Sequence, residues 1–461
     1  MAAAALDPLL RRAVAGGDYA ALGELLDPHA VLRSSSERGR RTVEGPAAIV
    51  EHLERPGPGE VTAWDVREWP TGAAVTFEWR GAAGHDRRRW YLRRDEATGR
   101  VTGLWSYAAR PRGDGGATTV PDAVLAALGA GARRAALEHG GNSGAALERI
   151  VLGDGTALVA KHVAPGADWL GRATADRGRT AQLWRAGAFA RMPAVIEHGI
   201  VAVAPDPDPG GGAWVLMHDL ADHLLDEHRM LSREESRAIL AAAATVHATF
   251  RGDPPAGAAT LRDRLGMSGL AVAEAERAGP DLLPKQFEAA WDAFAEAVDD
   301  DVAQEILAAV ADPGPLAAAL AARAPATLLH GDLRDDNLGF DAGRLVLLDW
   351  DLATAGTPSV ELAWYLCHDA WRIGASHDEI EADFHAAEAH LDPVEAELGI
   401  ASGLVQYGWI FGHSALVHPD PAEAAWAREE LAWWVPRVRR ALEATGGLAA
   451  ARPTTEARRH G

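Results

Sequence analysis

Residues Leu328 to Leu352 constrain this chain more than any other stretch. They read Leu-Leu-His-Gly-Asp-Leu-Arg-Asp-Asp-Asn-Leu-Gly-Phe, then Asp-Ala-Gly-Arg, then Leu-Val-Leu-Leu-Asp-Trp-Asp-Leu. Two apolar β-type runs, Thr327 to Leu329 and Leu345 to Leu348, each deliver a polar cluster at their ends. The first cluster is His330, Gly331, Asp332 and Asn337; the second is Asp349 with Asp351. An apolar strand that ends in a carboxylate costs free energy unless the carboxylate meets water, a partner or a metal. A carboxylate five residues before an asparagine, with a second aspartate beyond a short hairpin, is a magnesium-phosphoryl arrangement. One aspartate takes the proton of an acceptor hydroxyl, while the asparagine and the other aspartate hold metal against the phosphates.

The pattern His330-Gly331-Asp332-x-x-x-x-Asn337, followed by Leu348-Asp349-Trp350, resembles the aminoglycoside and choline-type phosphotransferases, small-molecule relatives of protein kinases. Protein kinases write the two motifs as His-Arg-Asp-x-x-x-x-Asn and Asp-Phe-Gly. The resemblance implies Asp332 as catalytic base, Asn337 and Asp349 as magnesium ligands, and ATP or GTP with Mg²⁺ as cofactors. A pair of capped turns at strand ends would explain the same residues only if Asp, Asn and Asp fell at this spacing by accident.

The length of 461 residues predicts two or three domains. A net charge of −21 argues against a nucleic-acid or anionic-membrane surface. The single cysteine, Cys367, excludes an internal disulfide and fits a reducing compartment. The N-terminus lacks the positive and apolar regions of a signal peptide, and no run approaches a membrane span. A cytoplasmic location follows as the expectation. Only Lys161 and Lys285 are lysines among 45 basic residues. A lysine kept in an arginine background suggests a place where a compact point charge is needed.

Residues Leu6 to Arg112 read as a separate module: short helices at Pro8–Ala15 and Tyr19–Leu26, a strand at His29–Ser34, a helix at Gly45–Leu53, then four strands joined by Gly-containing turns. This order, with the phrase from Leu26 to Ala48, resembles the SnoaL-like and ketosteroid-isomerase-like cones. The resemblance implies a pocket, small-molecule binding or homodimerisation through the cone. Trp64, Trp79, Trp90, Trp105 and Tyr107 either line that pocket or fill the core, and core filling is the ordinary fate of such side chains. Arg33 either enters the pocket or faces solvent. The module holds 17 arginines against 15 acidic residues, and the remainder holds 28 basic against 51 acidic.

After a Gly-rich linker comes a hairpin with tip Gly140-Gly141-Asn142-Ser143-Gly144, whose Gly141, Ser143 and Gly144 are candidate phosphate-cradling residues. The next strand, Ala157 to Val163, carries Lys161 in a Val-Ala-Lys phrase like that of a kinase third strand, where the lysine binds phosphates. The following helix, expected over Arg172 to Ala188, should supply a glutamate to pair with Lys161. Relatives carry it where this chain has Thr180, so either Asp176, one turn earlier, substitutes or Lys161 is held by the phosphates alone. Met217 and His218 fall where kinase-like folds read adenine through the backbone.

Ser232 to Phe250 reads as a helix capped by Ser232 with Glu235 three residues on. Glu361 is expected to hydrogen-bond the catalytic loop. His413, His418, Glu429, Glu430, Trp433 and Trp434 lie where the resembled family builds its acceptor site, and equally read as an amphipathic helical face. The expected fold is α+β: a cone-shaped α+β barrel at 1–112, a linker at 113–121, and a bilobal protein-kinase-like domain. That domain has a nucleotide lobe at 122–219 and a helical catalytic lobe at 220–445, with a disordered tail at 446–461. The expected function is phosphoryl transfer to a hydroxyl of a small molecule, neutral or cationic, such as an aminoglycoside-like or amino-alcohol compound. The alternative is a non-catalytic nucleotide sensor joined to a ligand-binding cone.

Overall fold

The computed structural model describes residues 6–54, 57–82, 84–109, 119–129, 131–135, 137, 145–207, 212–226 and 229–448. The expected linker and tail fall mostly outside them. The chain begins α1 (Leu6–Gly16), α2 (Ala20–Leu25), β1 (Leu26–Ser36), β2 (Gly39–Glu44), α3 (Pro46–Glu54), β3 (Gly59–Trp69), β4 (Gly72–Gly81), β5 (Gly84–Arg94) and β6 (Val101–Ala109). It continues α4 (Asp122–Ala127), β7 (Arg133–Ala135), β8 (Leu147–Val151), β9 (Ala157–Val163), α5 (Trp169–Ala173), α6 (Arg179–Arg185), β10 (Ile196–Glu197), β11 (Ile200–Pro205) and β12 (Ala213–His218). Then come α7 (Arg233–Phe250), β13 (Ala259–Thr260), α8 (Leu261–Gly266), α9 (Leu270–Ala275), α10 (Pro284–Ala297), α11 (Asp300–Ala311) and α12 (Gly314–Ala321). The last elements are β14 (Thr327–Leu329), β15 (Leu338–Asp341), β16 (Arg344–Leu347), β17 (Thr354–Gly356), α13 (Pro358–Asp369), α14 (His377–Ala387), α15 (Pro393–Leu416) and α16 (Pro421–Thr445). No described helix is long and apolar enough to cross a membrane.

The chain forms two compact units, each assembled from three separated stretches. The first holds Met1–Gly113, Ser268–Leu307 and Gly408–Pro436. Its sheet has the order β2-β1-β6-β5-β4-β3, with β1 and β6 parallel and the other neighbours antiparallel. The expected barrel is therefore corrected: β2 and β3 are free edges, and the sheet stays open. The physical reason lies in the edges. Exposed Arg40, Arg41, Glu60 and Arg67 put charge on strands that a closed barrel would pair.

Both faces of this sheet are packed. On one, Leu6, Leu10, Leu22, Ile49 and Leu53 of the helices meet Leu32, Val75, Phe77, Trp90 and Leu92. Trp79 and Trp90 thus fill core, and Trp64 packs beside them while its indole N–H donates to Asp7 at 2.7 Å. On the other face Tyr91, Trp105 and Tyr107 meet Leu282, Ala289, Ala293 and Val417. Period-2 alternation places Trp90 and Tyr91 on opposite faces, so the strand must be covered twice. The cover on the second face comes from α10 and the end of α15. Arg33 is exposed and lies 5.6 Å from the Trp105 ring centre. Gly412 of α15 lets the two helices approach: a Cβ there would sit 2.4 Å from Phe294 N.

Lys285 is one of the two lysines, and it is 3% exposed. Its ammonium donates to the carbonyls of Glu276 and Arg277, just past the end of α9. Those groups accept a compact cation where a planar fork would need more room. Burial pushes the ammonium down to about 8.

The second unit holds Asp114–Met267, Ala308–Tyr407 and Arg437–Gly461. Its five-stranded antiparallel sheet has the order β11-β12-β9-β8-β7. Ile150, Leu158, Ala160, Trp214 and Leu216 form its core, closed by Val120 and Val124. The helix expected over Arg172 to Ala188 is two short helices. Ala175 and Gly178 adopt positive φ values of 52° and 80°, which end one helix and start the next. The capping box of Ser232 and Glu235 forms as the sequence predicts. β15 and β16 make a hairpin whose central residues, Ala342 and Gly343, have φ of 48° and 81°, the pattern of a type I′ turn.

Candidate active site

β14 ends at Leu329 and releases the chain into a loop fixed by Gly331. That residue has φ +80°, and a Cβ on it would lie 2.0 Å from Leu352 O, so only glycine fits. Its N–H donates to Glu361 Oε1 at 2.7 Å, the hydrogen bond expected of Glu361. Its carbonyl accepts from Arg264 Nη2 at 2.7 Å and Nε at 3.1 Å. His330 Nε2 donates to Leu348 O at 2.8 Å, since a carbonyl can only accept.

Asp332 sits inside this frame with its side chain 15% exposed. Oδ1 accepts from Trp364 Nε1 at 3.0 Å and Arg334 Nε at 3.2 Å, and Oδ2 accepts from Asn337 Nδ2 at 2.9 Å. Burial would raise this carboxyl, but Arg334 and other neighbours, Arg264 among them, outweigh it and hold it below the usual range. Asp332 is therefore ionised at neutral pH. Asn337 spends its amide N–H groups on the Asp332 carboxylate and carbonyl, so its orientation is fixed by Asp332.

Asp349 follows β16 in the left-handed region, with φ 59°. A non-glycine residue there stores about 1–3 kcal/mol of backbone strain, a cost that functional sites often carry. Its side chain is 39% exposed, and Oδ1 lies 2.8 Å from Lys161 Nζ. Asp351 Oδ2 is also 2.8 Å from Nζ. Burial alone would lower the Lys161 ammonium; the two carboxylates outweigh it and raise it. Burial likewise opposes ionisation of Asp349, and Lys161 overcomes it and lowers that carboxyl.

Asp176 does not take the place expected of it. It lies in the break before α6, and its carboxylate accepts from Arg179 N, the first N–H of that helix, at 2.6 Å. Burial, then the nearby Asp351, push its carboxyl up to about 6. Thr180 instead donates its hydroxyl to Asp351 Oδ1 at 2.5 Å. The sequence places Asp351 two residues after Asp349 but assigns it no partner.

Gly141, Ser143 and Gly144 lie outside the described residues. Met217 and His218 close β12. The His218 N–H donates to Gly199 O at 2.8 Å, and the next N–H, of Asp219, to Ala157 O at 3.2 Å. His413 and His418 belong to the first unit. His413 meets Tyr91 edge to face at 4.6 Å, and His418 packs near Tyr91 and Trp69. Glu430 accepts from Trp434 at 3.1 Å, and Trp433 and Trp434 meet edge to face.

Aromatic groups gather beside Asp332. Trp364 lies 4.0 Å from the Arg264 guanidinium and 4.1 Å from the His368 ring, and Tyr407 meets His368 edge-on at 4.5 Å. Burial and Arg334 push His368 down to about 3, so it is neutral. Arg264, Arg334 and Trp364 carry no local motif. Trp364 reaches Asp332 and Arg264 reaches the Gly331 carbonyl from distant helices, while Arg334 bonds Asp332 from two residues along the same loop.

Behind the loop, His247 is fully buried between two glutamates. Nε2 lies 2.7 Å from Glu361, and Nδ1 hydrogen-bonds Glu388. Both ring nitrogens face carboxylates, so the ring is an imidazolium. Burial opposes that charge, but the two glutamates raise the group to about 9. The unfolded value is about 6.5. The stabilisation is therefore complete below pH 6.5 and is lost as pH rises through 9. It amounts to about 3 kcal/mol at most. Urea unfolding at pH 6 and pH 9.5 should show wild type losing stability relative to His247→Gln. Equal pH slopes in the two proteins would refute the charged triad.

The phosphotransferase enzyme family model matches residues 139–397, more than half of the chain. The chain belongs to the phosphotransferase enzyme family, and it is an enzyme. No curated protein matches it. Solved structures that match include an aminoglycoside phosphotransferase from Alicyclobacillus acidocaldarius, at 16% identity and TM-score 0.40, covering 72% of this chain and 97% of that one. Another, from Streptomyces rimosus, has 16% identity and TM-score 0.36, covering 58% and 94%. A macrolide 2′-phosphotransferase from Brachybacterium faecium has 16% identity and TM-score 0.32, covering 67% and 97%. The family match does not reach the first 138 residues, and nothing in the comparisons supports the ketosteroid-isomerase-like resemblance there.

Proposed function

We propose that the chain transfers the γ-phosphoryl group of ATP or GTP to a hydroxyl of a small molecule. The single observation that carries this reading is the Asp332 carboxylate, ionised and hydrogen-bonded to Asn337, within a chain of the phosphotransferase family. Asp332 accepts the hydroxyl proton and orients that oxygen for in-line attack. Trp364 and Arg334 hold the carboxylate so that one geometry is presented. Lys161 meets the phosphates.

Asn337 and Asp349 would hold magnesium. Both offer hard oxygen donors, which suit that ion. Among the described residues no three acidic, His or Cys side chains converge on one metal position. A magnesium ion bound to nucleotide needs only one or two protein ligands beside the phosphates. When bound, it supplies charge neutralisation on the transferring group.

The surplus of carboxylates outside the N-terminal module attracts cations, so the acceptor is neutral or cationic. The test is a panel of hydroxylated compounds scored for acceptor-dependent ADP or GDP release with magnesium. For a cationic acceptor, kcat/KM should fall as ionic strength rises, because exposed charges are screened beyond about 10 Å at 0.1 M salt. A salt-independent kcat/KM, or an acidic acceptor, would refute the steering.

A further inference from the structure

Lys161 is 9% exposed, and a buried ammonium needs a dedicated counter-charge. Helix α6 offers none at the expected position, because Thr180 stands there. Two carboxylates reach Nζ, those of Asp349 and Asp351, each at 2.8 Å. Their situations differ. Asp349 is 39% exposed, and on the reading above it also ligates magnesium, so its hold on Lys161 is shared with the cation. Asp351 is anchored from three sides. Its Oδ1 accepts the Thr180 hydroxyl, its Oδ2 meets Lys161, and its backbone carbonyl accepts the buried Arg179 guanidinium.

We propose that Asp351 is the positioning partner of Lys161, with its carboxylate oriented by the Thr180 hydroxyl. The counter-charge comes from the turn after Asp349 and not from α6, and its contacts tie β9, α6 and that turn together. A one-turn 3₁₀ helix at Trp350–Leu352 follows Asp349, so the two carboxylates two residues apart both reach Nζ. Thr180 and Arg179 are adjacent on α6, and both bind Asp351, one at the side chain and one at the backbone. Asp176 instead accepts from Arg179 N at the start of α6.

This inference rests on Lys161 meeting the nucleotide phosphates. Its test uses Mg·ATP as the probe, which needs no identified acceptor. Titration calorimetry gives Kd, and slow hydrolysis to water gives the KM-against-kcat split. Asp351→Ala should weaken Mg·ATP about ten- to hundredfold, the size of a lost charge-assisted contact. Thr180→Val should lose about two- to fivefold, since it removes only an orienting hydroxyl. The decisive protein is the double variant Thr180→Glu with Asp351→Ala. A glutamate at 180 is longer than threonine by about the width of the removed carboxylate, and it should recover at least tenfold of the lost affinity.

A group that merely supports the fold would not be repaired by moving its charge to another element. Circular dichroism and Tm establish that each variant is folded. Wild-type affinity in folded Asp351→Ala would overturn the proposal, as would a folded double variant no better than Asp351→Ala. If wild type bound neither Mg·ATP nor Mg·GTP, the nucleotide reading itself would fall, and this inference with it.

Discussion

Asp349→Ala is expected to lower phosphoryl transfer about a thousandfold or more, because it removes a carboxylate proposed to hold the charge-neutralising ion. The residue leaves an apolar strand directly into the left-handed region, at φ 59°. Alanine tolerates that conformation less well than aspartate. Part of any loss could then come from a shifted turn. Asp349→Asn separates the two effects, since it keeps size and backbone preference and removes the charge. Lys161 keeps Asp351 as a partner in both variants. Nucleotide affinity should therefore fall less than turnover, and the asparagine variant should recover activity as magnesium is raised. Wild-type turnover in excess chelator would show that the proposed metal role is wrong.

Asp332→Asn should lower kcat about a hundred- to ten-thousandfold, the range for removing a general base. The lower end is favoured where the transition state is loose and the base mainly orients the hydroxyl. The site adds a second consequence. Two donors converge on Oδ1 and the Asn337 amide points at Oδ2. An amide can accept on only one side, so it would face Asn337 donor to donor or lose Trp364 and Arg334. A modest loss of Tm should therefore accompany the kinetic defect, with Mg·ATP affinity unchanged. Full kcat in the variant would remove Asp332 from the mechanism.

Much of the candidate site was legible in the sequence because its geometry is local. Asp332 and Asn337 are five residues apart in one loop, and their hydrogen bond follows from that spacing. The Ser232 cap and the turn at Ala342-Gly343 are equally local. Lys161 was marked by rarity, and the structure gives both lysines buried positions with tight polar partners.

What failed to show in sequence depends on which distant groups arrive together. The break at Ala175 to Gly178 interrupts a pattern that otherwise reads as one helix, and it turns Asp176 onto the first N–H of α6. The order of elements predicts a closed sheet, yet closure is a property of its two edges, and among the described residues charged β2 and β3 do not pair with each other. The first unit draws its second-face cover from segments hundreds of residues along the chain, which no periodicity announces. By itself the sequence determined the spacing of the candidate residues Asp332, Asn337 and Asp349, since covalent connectivity sets their order and reach. Only the tertiary structure decided which carboxylates neutralise Lys161, because a buried charge is satisfied by whatever packing brings within about 3 Å.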